Sequence, residues 1–255
     1  MCLIVFAWRP GHAQPLIVAA NRDEFYARPT QPLARWDDFA QIVAGRDLEA
    51  GGTWLGLGPA GRFAALTNIR QPGQPAALRS RGELVAGFVQ GTQTTDEYLT
   101  EVARLGGEYA GFNLLLGDGR RLVYCSSSAA ARTLPQGVYG LSNAGLDTPW
   151  PKLVKARQAL ADQLEDYSVK SLMTLLADPA PAIDGELPET GVGLATERLL
   201  SSVFIASPHY GTRASTVVIQ TQEETRIVER SFGPYGARLS EVAMAVPLAD
   251  SPTPP

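Results

Sequence analysis

The sequence predicts an α+β protein of mostly antiparallel sheets with its helices segregated from them. Three observations predict it. Short apolar runs face each other across turns as hairpins, beginning with residues 3–7 and 16–20 around Arg9-Pro10-Gly11-His12. Helical spacing occurs in two pairs, over residues 78–90 and 96–105 and again from Trp150-Pro151 to Leu164 and over 169–177. More hairpins separate the pairs and strands close the chain, an order that favours stacked layers over a doubly wound parallel sheet. At 255 residues the chain has length for one large core. It is read as a single domain over residues 1–246, with a disordered Pro-rich tail expected over 247–255.

Between the first hairpin and residue 41 the chain reads as loop, with Pro29, Pro32 and an anchoring Trp36. Gly51-Gly52-Thr53-Trp54-Leu55-Gly56-Leu57 then leads into a strand whose partner is residues 62–67. Gly56, Gly58 and Gly61 match G-x-G-x-x-G literally, but Pro59 and a second strand-like run follow where a dinucleotide site needs a helix, so that reading is rejected. In the first helix pair Leu84, Gly87 and Phe88 share a face, and the second helix has Thr95 as its cap and Gly106-Gly107 as its stop. Residues 112–116 and 122–125 form a hairpin that places Cys125 in the core. A strand over 137–142 runs into Asn143-Ala144-Gly145, and the second pair's first helix aligns Leu153, Ala156, Leu160 and Leu164. Residues 178–194 read as a long surface loop, and 204–205, 215–219 and 226–231 as the final strands.

Composition narrows the classes. Hydrophobic residues make up 45% and charged residues 19%, as in ordinary globular proteins. A net charge of -4 with scattered arginines gives no footprint for nucleic acid. No apolar run reaches membrane-spanning length, and the N-terminal stretch lacks a signal-peptide pattern. Two cysteines, Cys2 and Cys125, do not make a disulfide framework. A cytoplasmic protein with a small-molecule substrate or ligand is expected; oligomeric state is left open.

The chemistry is reached by elimination. His12 and His209 are the two histidines, and neither sits in a metal-binding spacing, so no metal or cofactor is expected. The serine-hydrolase elbow and the Walker A loop are absent. What stands out is Cys2 behind Met1. Removal of Met1 would put a thiol and a free α-amino group on one residue, a nucleophile with its own base. The same cysteine also reads as a small buried hydrophobe. Polar residues gather at strand ends: Asn21 and Asp23, spaced to face one side, then Asn68, Asn143 and Arg213. Each has an ordinary turn reading, yet a hydrolytic cysteine needs this inventory: a carboxylate for the amine, amide donors for an oxyanion, a cation for the thiolate.

Met1-Cys2, Asn21-Arg22-Asp23-Glu24, Gly51-Gly52-Thr53-Trp54-Leu55-Gly56, Leu66-Thr67-Asn68, Gly111-Phe112-Asn113-Leu114-Leu115, Leu141-Ser142-Asn143-Ala144-Gly145 and Tyr210-Gly211-Thr212-Arg213 together resemble the NRDE family, whose eukaryotic member is transport and Golgi organisation protein 2. That pattern is similar in turn to N-terminal nucleophile hydrolases with cysteine, such as penicillin V acylase and bile salt hydrolase. The resemblance implies a four-layer αββα sandwich and cleavage of a linear amide C–N bond. It makes Cys2 the nucleophile and has Asp23 orient its amine. It puts Asn68 and Asn143 at the oxyanion and amine-positioning asparagines, and Arg213 at a late arginine near the thiol. Asn21, Arg22, Glu24, Trp54 and Thr67, in the same motifs, are expected to meet substrate or support these groups. Trp36, Phe25 and the 178–194 loop are expected as further pocket walls. One departure stands out: those hydrolases carry an arginine in an R-N-x-D run, and here the position is Ala20. Arg22 is expected on the opposite side of the strand. The alternative implied by the family is a non-enzymatic protein that binds or moves haem, lipid or acyl-CoA, with His12, His209 or Cys125 as the haem ligand.

Overall fold

A computed structural model describes residues 2–73 and 77–248. Strands β1 (Cys2–Trp8), β2 (Leu16–Phe25), β3 (Thr30–Arg35), β4 (Val43–Asp47), β5 (Leu55–Leu57) and β6 (Arg62–Asn68) come first. Helices α1 (Gly82–Gln90) and α2 (Thr95–Leu105) follow, then β7 (Phe112–Asp118), β8 (Leu122–Ser126), β9 (Ala129–Thr133) and β10 (Gly137–Leu141). Helices α3 (Pro151–Gln163), α4 (Val169–Leu175) and α5 (Leu194–Leu200) precede β11 (Tyr210–Gln220), β12 (Glu224–Phe232) and β13 (Arg238–Pro247). One sheet has the order β10-β1-β2-β11-β12-β13, the other β3-β4-β5-β6-β7-β8-β9, and the strand pairs are antiparallel.

The alternation of β1 sets the layers. Cys2, Ile4, Phe6 and Trp8 enter the core between the sheets, whereas Leu3, Val5 and Ala7 pack with Leu153, Ala156 and Leu172 of α3 and α4. Both faces are covered, which is why β1 is apolar throughout. The second sheet repeats the arrangement: Ala65 and Leu115 face inward, and Ala64, Leu114 and Leu116 lie under Phe88, Val89 and Val102 of α1 and α2. The result is the expected αββα sandwich of four layers. Among the described residues no helix is long and apolar enough to cross a membrane.

Several boundaries differ from the sequence reading. Residues 30–35 and 43–47 form β3 and β4 where loop was expected; β3 tolerates Pro32 because it is an edge strand with no further ladder to feed. Helix α1 begins at Gly82, four residues late, and Leu78 is left exposed. Thr94, not Thr95, caps α2 in a capping box with Glu97. Residues 204–205 are not a strand, since Ile205 exchanges its backbone bonds with Thr212 instead of a neighbouring ladder. β9, α5 and β13 are additional; β9 is exposed throughout and so carries no inward pattern to detect. Pro247 still pairs with Glu224 at the sheet edge, so the expected tail does not begin there, and its residues 249–255 lie outside the described residues.

Candidate active site

A cleft of about 810 Å³ opens where the end of β2 meets the ends of β6 and β11 and the chain ahead of α1. That volume suits a small organic ligand. Cys2 stands in its wall at the start of β1, 6% exposed, and its carbonyl accepts a hydrogen bond from Ser142 Oγ at 3.1 Å. Burial pushes the Cys2 thiol up; Asp23 and Glu24 add to this, and Arg22 opposes it. Cys125, in contrast, is a core residue on the far face of the other sheet, its thiol pushed up to about 12 by burial. His12 sits in the β1–β2 turn and His209 just ahead of β11, and neither lines the cleft.

Asp23 is 1% exposed near the end of β2, across the ladder from Thr212. Thr212 Oγ1 donates to Asp23 Oδ1 at 2.8 Å and accepts from the Ile205 amide at 2.9 Å. Gly211 makes this possible: a Cβ there would run into the Ile205 carbonyl and the Tyr26 hydroxyl. Burial raises the Asp23 carboxyl, while Lys152 and the Thr212 hydrogen bond pull it back. Asn21 shares the strand face of Asp23, as its spacing predicts, but it does not line the cleft. Its amide donates to the carbonyls of Leu176 and Val203 at 2.9 and 2.8 Å and its Oδ1 accepts from Ser215 at 2.6 Å, so it clamps the helical layer to the sheet. Of the two roles expected for Asn21, meeting substrate or supporting its neighbours, these bonds suit the second.

The two asparagines separate. Asn68 ends β6 in the cleft wall, and its side-chain amide makes no hydrogen bond among the described residues. Asn143 is 1% exposed and lies behind it, donating to the Asn68 carbonyl at 2.8 Å while its own carbonyl receives the Arg70 amide. Thr67 is fully buried and donates to the Ser142 carbonyl at 2.5 Å, so it braces the same junction rather than meeting a ligand. Trp54 and Glu24 line the cleft. Of the further expected walls, Val192 from the 178–194 loop is present. Trp36 packs under the α1–α2 layer and Phe25 is 58% exposed outside the cleft; both follow from strands that the sequence reading took as loop.

Arg213 occupies the bulge where the β2–β11 register shifts, and the extra residue aims its guanidinium at the carbonyls of Phe25, Tyr26 and Arg28 at 2.9–3.1 Å. Arg22 corrects an expectation. Residues 20 and 22 are two apart and share a face. Ala20 stands opposite Ile4 and Arg22 opposite Cys2, so Arg22 is on the thiol's side of the strand.

Among the charged residues that escaped the sequence reading, three stand nearest the chemistry or deepest in the fold. Arg81, just ahead of α1, lines the same cleft as Cys2. Lys152 is buried in the first turn of α3 with no hydrogen-bond partner for its Nζ among the described residues; burial pushes its ammonium down and Asp23 opposes this. Its signal was present, since Lys152, Ala156 and Leu160 repeat every four residues on the buried stripe. Glu229 of β12 is 4% exposed and borders the cleft, accepting from the Leu33 amide at 2.8 Å. It alternates with inward-facing Ile227, a pattern legible only once that strand's inner face is known.

The comparisons with known proteins agree with this architecture. A family model, Transport and Golgi organisation 2, matches residues 1–234. The transport and Golgi organization protein 2 homolog of Bos taurus is 37% identical over 259 residues, spanning 91% of this chain and 93% of that protein. The Homo sapiens homolog is 36% identical over 257 residues with the same shares, and transport and Golgi organization protein 2 of Drosophila melanogaster is 28% identical over 271 residues, 91% and 92% of the two chains. Among solved structures, the Caenorhabditis elegans ortholog of N-acylethanolamine-hydrolyzing acid amidase superposes with a TM-score of 0.50 at 14% identity, covering 86% of this chain and 92% of that one. That likeness shows the fold, the sandwich of the N-terminal nucleophile hydrolases. The chain belongs to the Transport and Golgi organisation 2 family.

Proposed function

We propose that this chain hydrolyses a linear amide C–N bond, with Cys2 as an N-terminal nucleophile after removal of Met1. The observation that carries the reading is the convergence at one cleft of Cys2, the buried Asp23 and Asn68, whose side-chain amide makes no hydrogen bond among the described residues. The freed α-amine has a reference pKa of about 7.7–8.0, suited to accept the thiol proton near neutral pH. The thiolate adds to the carbonyl carbon, Asn68 donates to the oxyanion, and the ammonium returns the proton to the departing nitrogen. Water, deprotonated by the same amine, then hydrolyses the thioester and restores the thiol. Asp23 holds the amine, with Thr212 fixing the carboxylate, and Asn143 holds Asn68 from behind. Both cysteines are free thiols, in keeping with a reducing compartment such as the cytoplasm.

Two observations favour a second reading, a carrier of haem, lipid or acyl-CoA on the same fold. Burial favours a protonated thiol at Cys2, and the cleft has apolar walls at Trp54, Leu66 and Ile69. The deciding experiment is intact mass combined with an electrophilic amide or lactone probe. Folded protein beginning at Cys2 and acylated there, with labelling abolished by Cys2→Ala, supports the hydrolase. Folded protein that retains Met1 and takes no label at Cys2 overturns it.

A further inference from the structure

The charge of the cleft runs against the charge of the chain. The whole protein carries -4, yet seven arginines and four carboxylic residues line this one cavity. Five of the arginines are answered locally. Arg22 lies 3.9 Å from Glu24 and 3.8 Å from Asp47, Arg28 lies 2.7 Å from Asp47, and Arg46 lies 2.7 Å from Asp38. Arg70 pairs with Glu197 at 2.5 Å and Arg79 with Glu83 at 2.8 Å. Arg81 and Arg213 differ. Among the described residues neither has a carboxylate within 4.0 Å: Arg81 donates to the Gly111 carbonyl, and Arg213 to the three carbonyls of residues 25, 26 and 28. Backbone carbonyls orient a guanidinium without cancelling its charge, and each fork retains further donors. Of the four lining carboxyls, Asp23 and Glu229 are deeply buried and already engaged, by the Thr212 hydroxyl and the Leu33 amide. The cavity therefore keeps unspent positive charge beside Cys2, in a partly desolvated setting where an anion gains most.

The rest of the wall is apolar. Trp54, Leu66 and Ile69 lie within the cleft, and Leu78 and Leu239, exposed by 87% and 67%, are part of its border. Large exposed leucines at a cleft bordered by guanidinium groups suit a ligand with an aliphatic body and a charged end.

We infer that the ligand of this cleft is an anionic amphiphile whose carboxylate or phosphate is bound by Arg81 and Arg213, with its aliphatic part on the Trp54 and Leu66 side. The inference rests on the amide-hydrolase reading only in setting the reacting bond beside Cys2; the anion preference stands without it. As an amide substrate, such a ligand carries its acid on the part that leaves or on the acyl chain.

The test is a binding comparison on full-length Cys2→Ala protein, which cannot turn over. N-octanoylglycine, octyl phosphate and N-octanoylethanolamine share one alkyl length and differ in the charge of the head. Titration calorimetry should show at least one of the two anions binding about tenfold or more tighter than the neutral amide, since each 1.4 kcal/mol is a factor of ten and charge-assisted bonds supply that much. The tighter of the two anions identifies the head group. Arg81→Gln and Arg213→Gln, made singly and checked for cooperative melting, should each reduce the preference, and Arg81→Lys should restore part of it. If a variant fails to fold, salt on the parent decides: affinity for the anion falls with ionic strength while that for the neutral amide does not. Equal affinity for the three ligands, or a preference unmoved by both arginine variants and by salt, overturns the inference. Failure of the hydrolase reading is distinguishable, because Cys2 would take no probe while the anion preference persisted.

Discussion

Arg22 stands directly opposite Cys2 across the β1–β2 ladder, and it is 7% exposed. Its carboxylate neighbours, Glu24 and Asp47, lie 3.9 and 3.8 Å away, so they balance its charge without a direct hydrogen bond. Residue 20 is alanine where cysteine hydrolases of this fold carry arginine in an R-N-x-D run, and Arg22 shares that face one pleat further along. A cation two residues along the same strand face can thus serve the same thiol.

The first prediction follows from that pairing. Arg22 pulls the Cys2 thiol down against burial, so Arg22→Gln removes a stabiliser of the thiolate. Less thiolate at a fixed pH means slower alkylation. The iodoacetamide rate of Cys2, followed from pH 7 to 10, should move to higher pH in the variant and remain lower at neutral pH. A superimposable profile would remove Arg22 from the thiol's environment.

The two asparagines should behave differently. Asn68→Ala leaves the packing of the β6 end intact and should lower turnover by roughly 10²–10³, as for loss of an oxyanion donor, with little change in melting. Asn143→Ala removes the hydrogen bond to the part-buried Asn68 carbonyl and should cost about 1 kcal/mol of stability. Calorimetric melting beside kcat separates the two roles. Equal stability losses in both variants would place Asn68 in the frame instead of the chemistry.

Thr212→Val keeps the shape of the side chain and deletes both of its hydrogen bonds, to Asp23 and from Ile205. The buried Ile205 amide loses its acceptor, at a cost of about 1–3 kcal/mol. Without the Thr212 bond the Asp23 carboxyl should rise further, which weakens its hold on a cation at neutral pH. Chemical denaturation reads the first effect, and the pH dependence of probe labelling at Cys2 reads the second. A variant as stable as its parent and with the same profile would refute both.

Glu229 gives a pH-dependent prediction. Burial raises its carboxyl above 4.5, while the Leu33 amide and Thr216 hydroxyl pull it down. A raised folded value means that this group's contribution to stability is full below about pH 4.5 and is lost as pH climbs through the folded value. Glu229→Gln stays neutral and retains the Leu33 bond. Its Tm should match the parent near pH 4 and exceed it increasingly toward pH 8. A constant offset across that range would mean that Glu229 pays no ionisation cost in the fold.

Much of the architecture is written in local patterns. The unbroken apolar runs of β1 and β2 require cover on both faces, and the two helix pairs supply the outer layers. Cys2, Asp23 and Asn68 were also legible, since each sits in a motif at a strand end and each lines the cleft. The sequence by itself therefore determined the layered class and the strand ends at which polar chemistry gathers. Tertiary structure decided which of those residues face the cleft. Asn21 and Asp23 have the same spacing from their strand, but Leu176 and Val203 take up the first one's amide. The register that sets Arg22 against Cys2 is that of the local β1–β2 hairpin, but the bulge at Arg213 depends on a strand pair far apart in the chain. So do Arg81, Lys152 and Glu229, drawn from three separate elements. Local spacing fixes which face of a strand a side chain takes; what stands across that face is set by register and sheet order, through contacts more than a hundred residues apart in sequence.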